Sequence, residues 1–192
     1  MPDERGTRAQ STMLVEAPFS ARHNGGSLLA CLSYAMARVL RPKIVIESGV
    51  CYGVTSAHLL QALHVNGHGH LHSIDLPPLG KNGDSYVGGL VPTGLRNRWT
   101  LHRGTTRRVL EPLLESLPQV DLFLHDSLHT YQNMHMEFVT VWPKLRSGGV
   151  LLSDDVEGNA AFHELMQHDD VAVALVLSET GKDACFGIAV KQ

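Results

Sequence analysis

The sequence predicts an α/β chain: a three-layer sandwich around a mostly parallel seven-stranded sheet, closed by a C-terminal antiparallel hairpin strand. Three observations carry this. Short runs rich in Val, Ile and Leu alternate with stretches of helical periodicity along the chain. Most of these runs break at a glycine, a proline or an acid. The last two runs follow each other with only a turn-like stretch between them, which makes a hairpin rather than a crossover.

Residues 1–24 read as a loose N-terminal arm that ends in a turn at Asn24-Gly25-Gly26. Ser27 is placed to cap a helix from Leu28 to Leu40, with Leu28, Leu32, Ala35, Met36 and Val39 as its buried stripe. Arg41-Pro42 ends it. Lys43 to Gly49 is a buried strand in the parallel-sheet style. Thr55 to Leu63 is a helix stopped near Asn66-Gly67, and Leu71 to Leu76 is a second strand halted by Pro77-Pro78. Residues 77–97 hold five glycines and three prolines with little periodicity, which reads as a lid-like insertion. Trp99 to His102 is a third strand and Thr106 to Leu117 a helix. Val120 to His125 is a fourth strand, and Tyr131 to Leu145 a helix closed by Ser147-Gly148-Gly149. Val150 to Ser153 is a fifth strand and Phe162 to Gln167 a short helix. Val171 to Leu177 and Cys185 to Val190 form the hairpin, joined by Ser178 to Ala184. The alternation implies right-handed crossovers. The 192 residues fit a single domain, 1–192, with enough chain to bury a full core.

Composition removes several classes of function. A net charge of -3 gives no electrostatic reason for a nucleic-acid partner. No basic amphipathic stretch points to a membrane surface, and no apolar run approaches the roughly 18 residues of a membrane span. Three dispersed cysteines, Cys31, Cys51 and Cys185, make no disulfide framework and no zinc-binding CxxC pair. With a polar, mixed-charge N-terminus unlike a signal peptide, the expectation is a cytoplasmic protein. Twelve histidines are many for the length. Four of them cluster at His64, His68, His70 and His72, and His70 and His72 would share one face of a strand. A zinc site there is one reading, but no Cys or carboxylate stands beside them at ligand spacing, so surface histidines are the plainer one.

In an open parallel sheet, ligands bind at the carboxyl ends of the strands. Acids are costly in buried strands, so acids gathered at those ends suggest a ligand or a cation. The first strand ends in Glu47-Ser48-Gly49-Val50-Cys51-Tyr52-Gly53-Val54-Thr55, the second in Asp75, the fourth in Asp126 and the fifth in Asp154-Asp155. Gly49 lets the chain turn off the strand, and Gly53 lets the next helix approach a ligand. Asp75 stands about 20 to 30 residues on, where an acid can hold ribose hydroxyls. NAD enzymes use the same device, but their Gly-x-Gly-x-x-Gly spacing is missing here. An acidic strand end would also repel a pyrophosphate and suits a ligand with an amino or sulfonium cation.

The segment Val45 to Ser56 resembles motif I of class I S-adenosylmethionine-dependent methyltransferases. The run Asp121 to Tyr131, followed by Leu145 to Asp155, resembles the metal-dependent small-molecule O-methyltransferases of the domain-24-like group. That group includes the macrocin and novobiocin-sugar enzymes and the cephalosporin hydroxylase-like proteins. The similarity covers roughly residues 43–157. It implies a Rossmann-like fold and transfer of a methyl group from S-adenosyl-L-methionine to a hydroxyl of a small molecule, a sugar or glycosylated metabolite. It implies that Glu47, Gly49 and Gly53 shape the cofactor loop, with Thr55 and Ser56 near the methionine end; Tyr52, an aromatic inside that loop, reads by its position as part of the binding site. Asp75 would hold the ribose, Gly104 and Thr105 would lie near the adenine, and His125 would touch the cofactor or serve as a second base. Asp126, Asp154 and Asp155 would bind a divalent cation, Mg2+. The sugar enzymes tend to carry Asp-Gly-Asp after the fourth strand, and this chain has Asp126-Ser127-Leu128, so their second acid is lost.

Physical chemistry supports a metal beside the resemblance. Three converging carboxylates repel one another, and a hard cation removes the conflict. It would also lower the pKa of a bound hydroxyl. The plainer alternative is that these acids only cap turns and helices. His129 follows Asp126 by three residues, and an imidazole with a pKa of about 6.5 accepts a proton near neutrality. The alternative is that it only packs or caps its turn. Trp142 and Phe138 read as core, and Cys51 as a small filler. The rival functions are an NAD-dependent oxidoreductase and a cofactor-binding protein without catalysis. A homodimer is compatible with the sequence, since a partner could complete a lid.

Overall fold

A computed structural model describes residues 26–76, 83–178 and 184–192. The expected arm at 1–24, the first part of the 77–97 insertion and the tip of the hairpin lie outside the described residues. Helix α1 (Ser27–Leu40) precedes strand β1 (Ile44–Ser48), helix α2 (Val54–Asn66) and strand β2 (His70–Asp75). A short helix α3 (Gly83–Tyr86) and a 3-10 turn (Thr93–Arg98) lead to β3 (Trp99–Arg103). Helix α4 (Thr106–Ser116), β4 (Val120–His125), helix α5 (Tyr131–Val141), β5 (Leu145–Ser153) and helix α6 (Ala161–Met166) follow, and β6 (Val171–Ser178) and β7 (Cys185–Lys191) end the chain.

The strands lie in one sheet, ordered β3-β2-β1-β4-β5-β7-β6. The first five are parallel, and β7 pairs antiparallel with both β5 and β6. Successive residues of a strand face opposite sides, and here both sides are covered. Val45, Leu71, Leu122, Leu124 and Leu152 pack against Leu29 and Ala37 of α1 and Leu59, Leu60 and Leu63 of α2. Ile46, Ile74, Phe123 and Leu151 pack against Leu110 of α4, Met134 and Phe138 of α5, and Phe162 of α6. This accounts for strands that read as unbroken apolar runs. No helix among the described residues is long and apolar enough to cross a membrane.

Four local expectations need correction. Ser27 is the first helical residue rather than the cap. Gly26 occupies the cap position and the side chains leave it unbonded. The stripe of α1 is rotated: Leu29, Ala30, Ser33 and Ala37 are buried, while Val39 is exposed. Small residues are needed on that face because Asn66 of α2 approaches closely enough to donate to the Ala37 carbonyl. Helix α5 ends at Val141, where Pro143 in the following 3-10 turn has no amide to continue the ladder. The Ser147-Gly148-Gly149 stretch does not close a helix but lies inside β5, where the register with β4 shifts between Val120 and Leu122. Gly148 takes φ 68 there, and Arg146 turns back to reach Asp121 at 2.6 Å. Asp121 in turn accepts the Lys43 and Ile44 amides, both at 2.8 Å, and so anchors the start of β1.

Residues 83–98, before β3, pack against the loop after β1. Val87, Val91 and Leu95 are buried, and the Gly88 and Leu90 amides donate to the Cys51 and Tyr52 carbonyls, each at 2.9 Å. Apolar residues spaced four apart along 87–95 were the available signal, hidden among the glycines.

Candidate active site

Parallel pairing of β1, β4 and β5 brings their carboxyl ends side by side. The Ser48 carbonyl accepts the Asp126 amide at 2.8 Å, and the His125 carbonyl accepts the Asp154 amide at 2.9 Å. The loop after β1 therefore rests on the loop after β4. Gly49, at φ 86, has no room for a side chain: a Cβ there would lie 1.9 Å from the Asp126 carbonyl oxygen. Gly53, at φ 87, is pressed against Val91 and Gly88.

Glu47 is fully buried beneath this loop. One of its oxygens, Oε2, accepts the hydroxyls of Ser56 and Ser73, each at 2.6 Å. The other, Oε1, is buried without a hydrogen-bond partner. Burial pushes the Glu47 carboxyl up to about 7, with a small further push from Asp75, against the two serine hydrogen bonds that lower it. Ser56 thus supports Glu47, and Thr55 is buried beside it in the first turn of α2. Tyr52 is also buried. Asp75 accepts the Val50 and Cys51 amides at 2.7 and 3.0 Å and so shapes the loop. Its carbonyl takes the Gly104 amide at 3.0 Å, which places Gly104 and Thr105 at the same sheet end. Burial, together with Asp75 and Asp126, pushes the Cys51 thiol up to about 12, so it is no nucleophile.

Across the loop stand the acids of β4 and β5. Asp126, His129 and Asp154 each offer a ligand atom, and all three atoms lie within 4.8 Å of one another. Asp155 is outside this group. At φ 46 it leaves the strand in the left-handed region, and its Oδ2 meets Nδ1 of His129 at 3.0 Å. The opposite ring nitrogen, Nε2, is buried without a hydrogen bond and lies 3.9 Å from Asp126 Oδ1. Burial and the adjacent Asp154 raise the Asp126 carboxyl well above the usual carboxylate range. Burial and Asp155 raise Asp154 to about 6. The two carboxyls are hydrogen-bonded to each other and so hold a proton between them. Burial, then His125, lowers His129, outweighing the nearby acids, so its ring is neutral at pH 7.

His125 turns toward α5, and its ring also meets that of His129 edge-on at 5.3 Å between centroids. Its ring is buried against Phe138 of α5 at 5.5 Å between centroids, and its Nδ1 meets Glu137 Oε2 at 2.7 Å. Glu137 also accepts Ser48 at 2.5 Å, and Ser127 and Asn133 at 2.9 Å each. Burial opposes the charge of Glu137, but His125, Ser48 and Thr106 outweigh it and its carboxyl is lowered. Sequence reasoning missed Glu137. The signal was a lone acid on the same helix face as Met134, Phe138 and Val141. Trp142 and Phe138 are core, as read from the sequence.

A family model for a methyltransferase domain matches residues 46–156, more than half of the chain. The chain belongs to the methyltransferase domain family. That membership sets aside the dinucleotide oxidoreductase alternative. Solved structures agree on the fold. The O-methyltransferase TomG from Streptomyces achromogenes, involved in tomaymycin synthesis and solved with S-adenosylmethionine, has TM-score 0.78 and 19% identity, covering 100% of this chain and 91% of its own. An O-methyltransferase from Bacillus cereus, solved with S-adenosylhomocysteine, has TM-score 0.77 and 16% identity, covering 100% and 93%. The Podospora anserina methyltransferase PaMTH1, also bound to S-adenosylhomocysteine, has TM-score 0.71 and 14% identity, covering 100% and 97%. No curated protein matches the sequence.

Proposed function

We propose that this methyltransferase moves the methyl group of S-adenosyl-L-methionine to a hydroxyl oxygen of a small molecule, with help from a divalent cation. The observation that carries the reading is the convergence of Asp126, Asp154 and His129 beside the loop Glu47–Gly53. The two half-buried carboxyls, which otherwise share a proton, suit a hard cation, and the unpartnered Nε2 of His129 is left beside them as a base rather than a ligand. Asp126 and Asp154 would hold the ion, Mg2+. Bound there, it would orient the acceptor oxygen and lower its pKa.

The chain's own groups do the rest. His129 Nε2, neutral and unpartnered, would take the acceptor proton, while Asp155 fixes the opposite nitrogen as the protonated one. Glu47 would offer its unpartnered Oε1 to the cationic end of the methionine. Asp75, with Gly104 and Thr105, would receive the adenosine half. Tyr52 and the 83–97 segment would close the site against water and help align donor with acceptor. The acceptor class, a sugar or glycosylated metabolite, rests on the resemblance of residues 121–155 to sugar enzymes. A homodimer and a cytoplasmic location belong to the same reading.

Calorimetric titration of S-adenosylmethionine with and without Mg2+ tests it. Binding of the donor, and methyl transfer that stops in chelator, are expected. Failure to bind the donor would overturn the reading, and undiminished transfer in chelator would overturn the cation's part in it.

A further inference from the structure

We propose that His72, His102 and His70 form a second cation site, for a borderline transition-metal ion such as Zn2+ or Ni2+, at the β2–β3 edge of the sheet. His70 and His72 are two apart on β2 and share a face. His102 joins them from β3, two residues beyond Thr100, which pairs with His72. Nδ1 of His72 lies 3.1 Å from Nε2 of His102, with the rings stacked at 5.4 Å between centroids. The His70 ring is 4.9 Å from that of His72. Two nitrogens bound to one tetrahedral zinc at about 2.0–2.1 Å stand roughly 3.3 Å apart, so the His72–His102 pair, which shares a hydrogen bond here, stands near chelating separation and would give up that proton to the ion. His70 Nε2 is turned to Thr100 Oγ1 at 2.8 Å, so as the third ligand it would have to rotate its ring and exchange that hydrogen bond for the ion. Three-imidazole sets are established zinc ligands, and imidazole suits zinc, nickel and copper.

Charge supports the geometry. Burial, then the neighbouring His70 and His102, lowers His72 to about 4. Burial lowers His70 and His102 as well, with Arg98 contributing at His70. Neutral rings keep the lone pairs a metal needs. The site is separate from the strand-end acids. It lies on the face of Ile74, toward α4, and β1 stands between β2 and β4. An ion there would tie the edge strand β3 to β2, the strand that delivers Asp75.

The test is Zn2+ titration into the full chain and into its D126N/D154N variant, which removes the strand-end carboxylates. The double variant is expected to retain one zinc equivalent. Adding H72Q or H102Q is expected to weaken that equivalent by at least about tenfold. The His72 and His102 ring-nitrogen resonances of the unmodified chain should shift as zinc is added. A double variant that binds no zinc, or zinc binding unaltered by H102Q, overturns the proposal. If D126N/D154N does not fold, the resonances of the unmodified chain decide, and unshifted His72 and His102 signals at saturating zinc overturn it. Methyl transfer in Mg2+ is independent of this site and is expected to survive H102Q.

Discussion

The Asp155 carboxylate lies 3.0 Å from Nδ1 of His129, and the opposite ring nitrogen turns toward Asp126 at 3.9 Å. Asp155 reaches this position only by adopting φ 46, a conformation that costs a non-glycine residue roughly 1–2 kcal/mol. Strain retained at a strand end implies that the contact matters. His129→Ala is expected to cut kcat by about 10²–10⁴-fold, the usual worth of a general base. Asp155→Asn keeps the shape and loses the charge, and is expected to cut it by about 10–100-fold. Steady-state release of S-adenosylhomocysteine checks both. Equal losses in kcat and donor affinity would mean that the pair only holds the loop.

The Asp126–Asp154 pair predicts opposite effects on binding and on stability. Burial and Asp154 raise Asp126, and burial and Asp155 raise Asp154, so ionising either carboxyl costs the cation-free protein stability. Asp154→Asn is expected to raise the melting temperature of the cation-free protein at pH 8 and to abolish the stabilisation given by millimolar Mg2+. Thermal unfolding of both proteins, with and without Mg2+, reads this. A variant still stabilised by Mg2+ would place the ion elsewhere.

The strand ends were legible in the sequence because burial and chemistry leave different marks. An apolar run that stops at Glu47, Asp75, Asp126 or Asp154 announces a sheet end by itself. The partition of labour among the acids was not legible. Asp154 and Asp155 are adjacent, and only the left-handed turn at Asp155 sends one to Asp126 and the other to His129. His125 was read toward the cofactor because it adjoins Asp126. Alternation along β4 places it on the opposite face, with Phe123, where Glu137 receives it. The boundary of β5 was misread because Gly148 and Gly149 mark a bulge as readily as a helix end.

The contact between Gly49 and Asp126 predicts a severe effect from a single methyl group. Gly49→Ala would place a Cβ 1.9 Å from the Asp126 carbonyl oxygen at φ 86. The loop after β1 and the loop after β4 must then separate, and the Asp126 amide bond to Ser48 is put at risk. A loss of about 2 kcal/mol or more in urea unfolding is expected, with donor binding lost in any folded fraction. Gly67→Ala is the control: it also has positive φ, 79, but open space around it. It should cost only the backbone strain of roughly 1–2 kcal/mol and leave donor binding intact.

Glu47 makes the stability of the ligand-free protein depend on pH in a stated direction. Burial holds its carboxyl at about 7 against the ordinary 4.5, so the folded chain binds this proton more tightly than the unfolded chain does. The favourable contribution is complete below about pH 4.5, declines as pH rises, and is gone above about pH 7, where a desolvated carboxylate must be tolerated. The gap corresponds to about 3 kcal/mol. Glu47→Gln keeps an oxygen for Ser56 and Ser73 but has nothing to titrate. The stability difference between the native chain and this variant, measured by urea unfolding, should therefore move by about 2.5 kcal/mol against the native chain between pH 5 and pH 8. A difference that stays constant across that range would show that Glu47 is charged throughout. Saturating S-adenosylmethionine should shrink the change, because a cation beside Oε1 favours the ionised carboxylate at any pH in the window.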